Sequence, residues 1–412
     1  MIFQKYIPRG IIYHTLTEDF FNIFKCLFGK LNSSNEVLKF ENVFAEYNGS
    51  QYCVAFPYAR MGIYYSIKAS QLPKGSEIIM PPITIKAILD VVLEAGLKPI
   101  FVDLNIHDYS YDLNDLKKKI NKNTKSILIT YLYGIIPDVS EIINIAKEQD
   151  LFIMEDFSQC LNGKYNNKKT GNFGHIGIYS SSTTKTLDTY GGGLCVTNNK
   201  NYYDQLKLLQ EKQLNPSRIT LFKKVLVDFI RNISTNIIFF NLLTIRIIKI
   251  IQLFNKDFLI KYVGNKNQEP LKEFPKEYFE KFSSFQAKLG IKYIKVLDKQ
   301  DSIRKGNVKY IKNKLENSPR EKESQNNIYW QFLHLFEDLT QKEVLEIFNK
   351  YKVDTSRSSL PLLPNLENYN FNQSTPNAEK IINKGYFIPA YHRLTKKDLR
   401  RISYLASEFD GK

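Results

Sequence analysis

The sequence predicts an α/β fold in which a large, mostly parallel β-sheet is flanked by helices and followed by a smaller α+β C-terminal domain. Two observations support this fold class. The chain has 412 residues, 43% of them hydrophobic, so it can bury a full-sized core. Between residues 40 and 198, short apolar runs alternate with amphipathic stretches, which is how parallel strands joined by helices are encoded.

The individual elements follow from this alternation. The apolar runs predict six strands: Ser76 to Met80, Pro99 to Val102, Ser126 to Tyr131, Phe152 to Glu155, Ile176 to Tyr179 and Gly193 to Thr197. Helical spacing of apolar residues predicts the helices Thr84 to Ala95, Leu113 to Lys119 and Val139 to Gln149. Two of these begin after an aspartate, Asp112 or Asp138, a residue type favoured at helix starts.

Changes in composition divide the chain into four parts. We expect an N-terminal arm (1–39), a large domain (40–215), an apolar and basic helical insertion (216–270) and a small C-terminal domain (271–412). In the last part, Phe285 to Leu315 reads as one long helix. The smaller α+β domain is predicted from the patterns at Asn327 to Leu335, Thr340 to Tyr351 and Glu379 to Ile382.

Charge and cysteine usage narrow the function classes. The net charge is +16 and the pI is near 9.3, but the lysines are scattered and no basic run is interleaved with aromatics. Nucleic acid is therefore not an expected partner. The four cysteines lie far apart and form no CxxC pair, so neither a metal site nor a disulfide framework is expected, and a reducing cytoplasm fits best. The N-terminal residues do not read as a secretory signal.

The densest chemical signal lies between residues 155 and 193. Glu155, Asp156 and Gln159 stand at the end of an apolar strand, the edge where open α/β sheets bind ligands. About thirty residues further on, a run of hydroxyl residues that begins at Ser180 leads to Lys185, and three glycines follow at 191–193.

These residue types are the parts of a pyridoxal-phosphate site. Such a site needs a lysine amine for a Schiff base and a carboxylate that keeps the pyridine nitrogen protonated. It also needs phosphate donors, which hydroxyls and backbone N–H groups at a helix N-terminus supply. The sequence therefore predicts pyridoxal 5'-phosphate as the cofactor.

At these residues the chain resembles the DegT/DnrJ/StrS-type sugar aminotransferases, pyridoxal-phosphate enzymes with the aspartate-aminotransferase type fold. The matching stretches run in the family's order, at 37–56, 80–105, 131–138, 155–197 and, more weakly, 283–311. The resemblance implies a seven-stranded, mostly parallel sheet in the large cofactor-binding domain. It also implies a homodimer, because sites of this fold are usually completed at a subunit interface.

The resemblance also implies roles for single residues. Lys185 falls on the lysine that bonds to the cofactor, and Asp156 on the carboxylate that pairs with the pyridine nitrogen. Ser180 falls on a phosphate ligand, and Gln159 on the residue that supports the ring hydroxyl. Thr84 is expected near the cofactor or at the start of its helix. Lys185 and Asp156 are thus the expected catalytic residues.

The chain departs from the family's pattern at four places. Tyr58, Ala59 and Arg60 replace the Ser-Gly-Thr turn that holds the phosphate with backbone amides, and we hypothesise that Arg60 compensates by binding the phosphate. Ile85 replaces the aromatic residue that stacks on the cofactor ring, so it can cover the ring only by apolar contact. The glutamate before the glycines is absent, with Tyr190 in the corresponding motif. The Asn-Tyr-Arg element of a neighbouring subunit is also missing, and residues 279–281 stand in its place.

The apolar insertion has two interpretations. Residues 221–254 are apolar but broken by cations and one aspartate, so they are too interrupted to span a bilayer. They predict either a helix in a membrane interface, attracted to anionic lipid, or a hairpin packed on its own domain or on a dimer partner. A peripheral position on the inner face of the membrane therefore stays open beside the cytoplasmic expectation.

The resemblance implies an activity as well. In the family, an amino acid, commonly glutamate, donates its amino group to a keto-sugar that is usually nucleotide-linked and used for surface polysaccharides or glycoconjugates. Two alternatives stay open. One is another pyridoxal-phosphate sugar reaction such as dehydration, although the dehydratase relatives replace the lysine. The other is a non-catalytic relative that acts as a membrane-associated sensor or scaffold.

Overall fold

A seven-stranded sheet forms the centre of the protein. The computed structural model describes residues 5–254, 269–315 and 324–409. The strands of the main sheet, from one edge to the other, are β1 (Tyr52–Phe56), β9 (Gly193–Thr197), β8 (Ile176–Ser180), β5 (Phe152–Asp156), β4 (Thr124–Thr130), β2 (Glu77–Met80) and β3 (Lys98–Phe101).

Strand direction places several chain segments at one edge of this sheet. Neighbouring strands are parallel from β8 through β3, whereas β9 runs antiparallel to both β8 and β1. The carboxyl ends of β1, β2, β4, β5 and β8 therefore lie at the same edge as the amino end of β9. Residues that follow these strands are brought together there.

The sheet confirms the predicted α/β class and all six predicted strands, with bounds that differ by at most two residues. A seventh strand, β1, lies outside the strand predictions. Its five residues, YCVAF, form a short run without alternation, and the strand pairs only with β9, which is remote in the sequence. The local sequence pattern gives no indication of a pairing with so remote a strand.

Helices cover both faces of the sheet, and alternate strand residues enter two separate cores. Ile127 and Ile153 belong to one core, whereas their chain neighbours Leu128 and Met154 belong to the other. The helices up to the insertion are α1 (Leu16–Phe28), α2 (Ser34–Asn48), α3 (Ala59–Ser70), α4 (Lys86–Glu94), α5 (Leu113–Lys119), α6 (Val139–Glu148) and α7 (Lys200–Glu211).

The predicted insertion is helical as far as it is described. It consists of α8 (Arg218–Thr235), α9 (Ile237–Phe239), a π-helical turn at Phe240–Thr244 and α10 (Ile245–Phe254), whereas residues 255–268 lie outside the described residues. The inner stripe of α8 packs against α1. Within the described residues, no single helix has the length and apolarity to cross a membrane. Arg218–Thr235 and Ile237–Ile251 meet that criterion only together, and they are bent by 58°.

The C-terminal part contains helices and short strands. The helices are α11 (Ser284–Ile294), α12 (Leu297–Lys312), α13 (Gln341–Lys350), α14 (Pro376–Lys384) and α15 (Lys396–Ser407). β11 (Phe332–Leu335) pairs antiparallel with β12 (Gly385–Ile388), and β10 (Gln325–Asn326) joins a small sheet with β6 (Lys164–Tyr165) and β7 (Lys168–Lys169).

The prediction of one long helix from Phe285 to Leu315 is wrong. The chain leaves the helical path at Lys295 and Val296 and begins a second helix at Leu297. Neither glycine nor proline marks this break, and apolar residues continue at helical spacing through it. The sequence therefore carries no local signal for it.

Candidate active site

The predicted site residues gather at the carboxyl edge of the parallel strands. Asp156 ends β5 and Ser180 ends β8, and Ser180 pairs with Gly193 at the beginning of β9. An added Cβ on Gly193 would lie 2.5 Å from the Cα of Ala59, so β9 and the start of α3 are in close contact. Segments that are far apart in the sequence thus meet at one corner.

Asp156 is a buried carboxylate held by its own turn. The main-chain N–H of Ser158 donates to Oδ1 of Asp156 at 3.0 Å. Burial raises the pKa of Asp156, while hydrogen bonds from Ser158 and the positive charge of Lys185 partly offset that rise. A negative charge in such a place favours a cationic partner.

Lys185 lies in the loop that follows β8, within the electrostatic reach of Asp156. Burial lowers its pKa from 10.5 to about 8, although the charge of Asp156 opposes that change. Its Nζ atom lies 3.9 Å from the centre of the Trp330 ring, and it makes no hydrogen bond or ion pair with any described residue. The indole Nε1 of Trp330 donates to the carbonyl oxygen of Thr184 at 2.7 Å.

The remaining predicted residues line the same edge with different contacts. Oε1 of Gln159 accepts a hydrogen bond from the N–H of Tyr133 at 2.7 Å. Thr84 is buried just before α4, whereas Ile85 is the N-cap of that helix and is 44% exposed. Oγ of Ser180 donates to Oγ of Ser182 at 3.0 Å. Their roles toward a cofactor remain predictions.

Arg60 is partly occupied by aromatic neighbours. Its Nη1 donates to the hydroxyl of Tyr278 at 2.7 Å, and its guanidinium carbon lies 4.6 Å from the ring centre of Tyr58 and 4.9 Å from that of Tyr278. The guanidinium therefore sits at the start of α3, as the phosphate hypothesis requires, but two tyrosines fix its plane.

A second cation, Lys224 of α8, reaches the same corner. Its Nζ lies 3.9 Å from the ring centre of Tyr58 and would lie 3.4 Å from a Cβ added to Gly191. Burial lowers the pKa of Lys224 to about 8, with Glu280 acting in the opposite direction. Among the described residues, its ammonium has no hydrogen-bond acceptor or ion-pair partner. An anion at this corner would satisfy it.

The loop that carries Lys185 is fastened to α1 and α8 by buried polar contacts. Thr183 donates to the carboxylate of Asp228 on α8, and the hydroxyl of Tyr190 donates to Asp19 on α1. Asn232 of α8 also donates to Asp19, at 2.7 Å. Tyr190, which stands in the motif where the family has a glutamate, is buried and used for this attachment.

His14 links α1 to the Lys185 loop and is positively charged at neutral pH. Its Nδ1 faces Oδ1 of Asp19 at 3.1 Å and its Nε2 faces the carbonyl oxygen of Asp188 at 2.9 Å, so both ring nitrogens meet acceptors. Burial alone would lower its pKa, but the charge of Asp188 and the hydrogen bond to Asp19 raise it to about 9. Burial, together with the charge of Asp188, raises the pKa of Asp228 to about 7.

A cavity of about 200 Å³ opens beside Lys185. Thr184 and Trp330, which flank the lysine, form part of its wall, and the N-terminal segment at residues 9–13 forms another part. Its position suits a substrate group that must approach the lysine amine.

Two residues of this site were missed by the sequence predictions. Trp330 is the only tryptophan of the chain, a signal that was available, but nothing in its surroundings indicates contact with Lys185. Lys224 was grouped with the cations that interrupt the apolar insertion. The inward positions Leu221, Val225, Asp228 and Asn232 of α8 show helical spacing, and this spacing could have indicated that polar residues of α8 also face the protein.

These donors fit pyridoxal phosphate. The edge offers a lysine amine with no ion-pair partner among the described residues, a buried carboxylate, a strand-end hydroxyl and a corner with a helix N-terminus and two cations. Together with the sheet, they form the arrangement expected of a pyridoxal-phosphate site on the aspartate-aminotransferase type fold. The DegT/DnrJ/EryC1/StrS aminotransferase family matches residues 24–226 and 256–405, and the chain belongs to this family. Family membership confirms the predicted cofactor.

Curated relatives match about half of the chain. The GDP-perosamine synthase of Escherichia coli O157:H7 is 34% identical over 207 residues, which is 49% of this chain and 56% of the relative. The dTDP-3-amino-3,6-dideoxy-alpha-D-galactopyranose transaminase of Aneurinibacillus thermoaerophilus is 31% identical over 191 residues, 46% of this chain and 53% of the relative. The chain thus spans about half the length of the curated relatives it matches.

Solved structures share the fold over nearly the full length compared, 98% of this chain. The sugar aminotransferase CalS13 of Micromonospora echinospora has a TM-score of 0.73 at 15% identity and covers 98% of this chain and 99% of that chain. The E. coli GDP-4-keto-6-deoxy-D-mannose-3-dehydratase with bound hydrated PLP has a TM-score of 0.71 at 20% identity. The match covers 98% of this chain and 100% of that chain. Similarity at this level of identity supports the fold.

Proposed function

We propose that the protein is a pyridoxal-phosphate-dependent aminotransferase that moves an amino group from an amino acid, with glutamate as the expected donor, to a nucleotide-linked keto-sugar. The observation that carries the proposal is the placement of Lys185 within electrostatic range of Asp156, with which it forms no hydrogen bond or ion pair. A lysine whose pKa is lowered to about 8 lies within reach of a buried carboxylate at the ligand-binding edge of the sheet. The named transaminase among the curated relatives supports the substrate class.

Lys185 is the proposed catalytic base. With a pKa of about 8, part of its amine is neutral near physiological pH, so Nζ could attack an aldehyde carbon, whose oxygen would leave as water. Once released, the same Nζ can take a proton from the Cα of a substrate amine and return it elsewhere. The Trp330 ring stabilises Nζ while it is charged.

Asp156 supplies a negative charge that would face the protonated ring nitrogen of the cofactor. When bound, pyridoxal phosphate provides an aldehyde carbon and a ring that accepts the electron pair left after Cα deprotonation. The carboxylate of Asp156, held by the N–H of Ser158, would keep a proton on the ring nitrogen and so favour that electron flow.

The phosphate end is proposed to lie where β9 meets α3. Ser180 and the N-terminal turn of α3 offer neutral donors, and Lys224 offers a charge that has no partner in the described chain. Arg60 is a weaker candidate because Tyr58 and Tyr278 already hold its guanidinium. Lys224 thus takes part of the role that the sequence assigned to Arg60 alone.

Dehydration is the second candidate reaction, because a sugar dehydratase shares the fold. Lys185 argues against it, since the dehydratase relatives replace this lysine. We therefore expect the keto-sugar to gain an amine, with surface polysaccharide or glycoconjugate synthesis as its use. The acceptor and the homodimer implied by the family belong to this proposal.

The half-reaction tests the proposal without knowledge of the acceptor. Protein loaded with pyridoxal phosphate and mixed with glutamate should release one equivalent of 2-oxoglutarate per site. Lys185→Ala should release none. With a candidate keto-sugar, ¹⁵N from labelled glutamate should appear in the sugar product by mass spectrometry. Release of water without nitrogen transfer would indicate dehydration, and no 2-oxoglutarate with any amino acid would favour the non-catalytic alternative.

A further inference from the structure

Exposed apolar side chains concentrate on two packed parts of the molecule. Of the 25 large hydrophobic side chains that are exposed in the described chain, 15 lie on α1 or between Ile219 and Ile250. Phe28 is 83% exposed, Ile219 68% and Leu242 59%. Single exposed hydrophobics are ordinary on a protein surface, but such a concentration indicates a binding surface. We call the exposed apolar side chains of α1 and residues 219–250 the apolar face.

The inner sides of the same helices already attach them to the protein, through a small apolar core that includes Cys26, Leu221 and Val225 and through buried polar contacts, so the apolar face is not needed for attachment. Asp19 of α1 accepts hydrogen bonds from Asn232 and Tyr190, and Asp228 of α8 accepts from Thr183. A surface helix that is attached by its inner side ordinarily exposes polar residues on its outer side, whereas these helices expose apolar ones. Folding of the chain alone therefore gives no reason for the apolar residues that face outward.

The segment after α8 is fastened by few contacts. Phe240 is buried, and the amide side chain of Asn241 clamps the main chain of Tyr6, accepting from its N–H at 2.6 Å and donating to its carbonyl at 3.0 Å. The flanking residues Ile238 and Leu243 remain exposed. The clamp fixes the segment with its apolar side chains outward.

Every exposed charged residue within residues 16–30 and 218–251 is positive. The exposed cations of residues 16–30 and 218–251 are Lys25, Lys30, Arg218, Lys223, Arg231, Arg246 and Lys249. The acids of these segments are withdrawn from solvent or paired. Asp19 and Asp228 are buried, and Glu18 forms an ion pair with Lys292.

We propose that the apolar face docks on the surface of an anionic lipid bilayer, with α1 and the bent α8–α10 segment lying in the interface. Exposed apolar residues whose own segments expose only cationic charges complement a hydrocarbon boundary under negative headgroups. A second copy of the chain fits less well, because a two-fold contact would bring these cationic charges against each other. The proposal rests on surface residues and is independent of the proposed aminotransferase activity.

Docking would also set the position of the candidate active site. α1 and α8 hold the Lys185 loop with their inner sides through Tyr190 and Thr183, and would contact lipid with their outer sides. The site would therefore lie about one helix diameter, roughly 10 Å, from the membrane surface.

Flotation of the full-length, cofactor-loaded protein with vesicles tests the proposal. Protein should float with phosphatidylcholine vesicles that contain phosphatidylglycerol, should bind pure phosphatidylcholine much more weakly, and should be released by salt. Leu242→Glu should abolish flotation, whereas Leu208→Glu, at an equally exposed site on α7, should not. Arg246→Gln with Lys249→Gln should lower partitioning about fivefold per charge removed. Lys117→Gln with Lys118→Gln on α5 is the matched charge control.

Two results would overturn the proposal. One is absence of flotation with phosphatidylglycerol vesicles, or flotation that Leu242→Glu leaves unchanged. The other comes from light scattering of the lipid-free protein. If Leu242→Glu converted a dimer to a monomer while Leu208→Glu did not, the apolar face would be an interface between copies of the chain.

Discussion

The Nζ atom of Lys185 lies 3.9 Å from the centre of the Trp330 ring, and the indole N–H of the same tryptophan holds the carbonyl of Thr184. A residue of the C-terminal part thus fixes both the charge and the main chain of the loop after β8. The ring and the carboxylate of Asp156 favour the charged lysine, whereas burial favours the neutral amine. Burial is the larger effect, because the pKa is lowered to about 8.

Capture of pyridoxal phosphate should therefore depend on pH with a midpoint near 8. Only the neutral amine attacks an aldehyde, so the capture rate should rise through this pH and then level off. Asp156→Asn removes a negative charge that opposes deprotonation, and it should move the midpoint to lower pH. Both midpoints, for wild type and for Asp156→Asn, can be measured from the rate at which the absorption band of lysine-bound cofactor grows at each pH. A midpoint above pH 10 would mean that Lys185 behaves as an exposed lysine.

Asp156→Asn should separate cofactor binding from catalysis. Asparagine keeps the size of the side chain but cannot keep a proton on the ring nitrogen, so the half-reaction with glutamate should slow by about a hundredfold or more. Cofactor retention after gel filtration should change much less. Asp204→Asn, at an exposed ion pair with Lys200, is the control. A rate within threefold of wild type would contradict the role of Asp156.

Lys224→Met should weaken binding of the phosphate rather than of the ring. Loss of a charge-assisted contact predicts a fall in affinity for pyridoxal phosphate of about tenfold or more, with affinity for pyridoxal unchanged. The exposed neighbour Lys223 provides the matched control, Lys223→Met. Equal losses for both ligands would place Lys224 outside the phosphate corner.

Arg60→Met in the same assay tests the hypothesis made from the sequence. If Arg60 contacts the phosphate despite its two tyrosine neighbours, the variant should also lose affinity for pyridoxal phosphate selectively. Unchanged affinity would assign the charge at that corner to Lys224 alone.

The buried His14 network should make stability fall as pH rises. A histidine with a folded pKa of about 9 and an unfolded value near 6.5 contributes fully below pH 6.5, and loses its contribution as pH rises through 9. The loss should approach about 3 kcal/mol. Urea unfolding at several pH values measures it, and His14→Gln should flatten the dependence. Asp228, whose pKa is raised to about 7, acts in the same direction in both proteins. An identical slope in both proteins would contradict a charged His14.

The sequence predicted best what local pattern and strand order determine. Asp156 and Ser180 stand at strand ends, and parallel strands bring such ends to one edge, so their neighbourhood could be predicted without coordinates. Trp330 could not be placed because its contact with Lys185 joins remote parts of the chain. The position of Lys224 at the phosphate corner could not be predicted for a related reason. Its position depends on which side of α8 faces α1, and buried polar contacts at Asp19 and Asp228 decide that orientation.

Lys185 is proposed to bond to pyridoxal phosphate, and glutamate is proposed to displace the lysine from it. Absorption spectra of wild type and Lys185→Ala with added pyridoxal phosphate, before and after glutamate, test this proposal most directly. We expect a band of lysine-bound cofactor in wild type only, and glutamate should convert it to the spectrum of the aminated cofactor. A band of equal intensity in Lys185→Ala, or a wild-type band that no amino acid alters, would contradict the proposal.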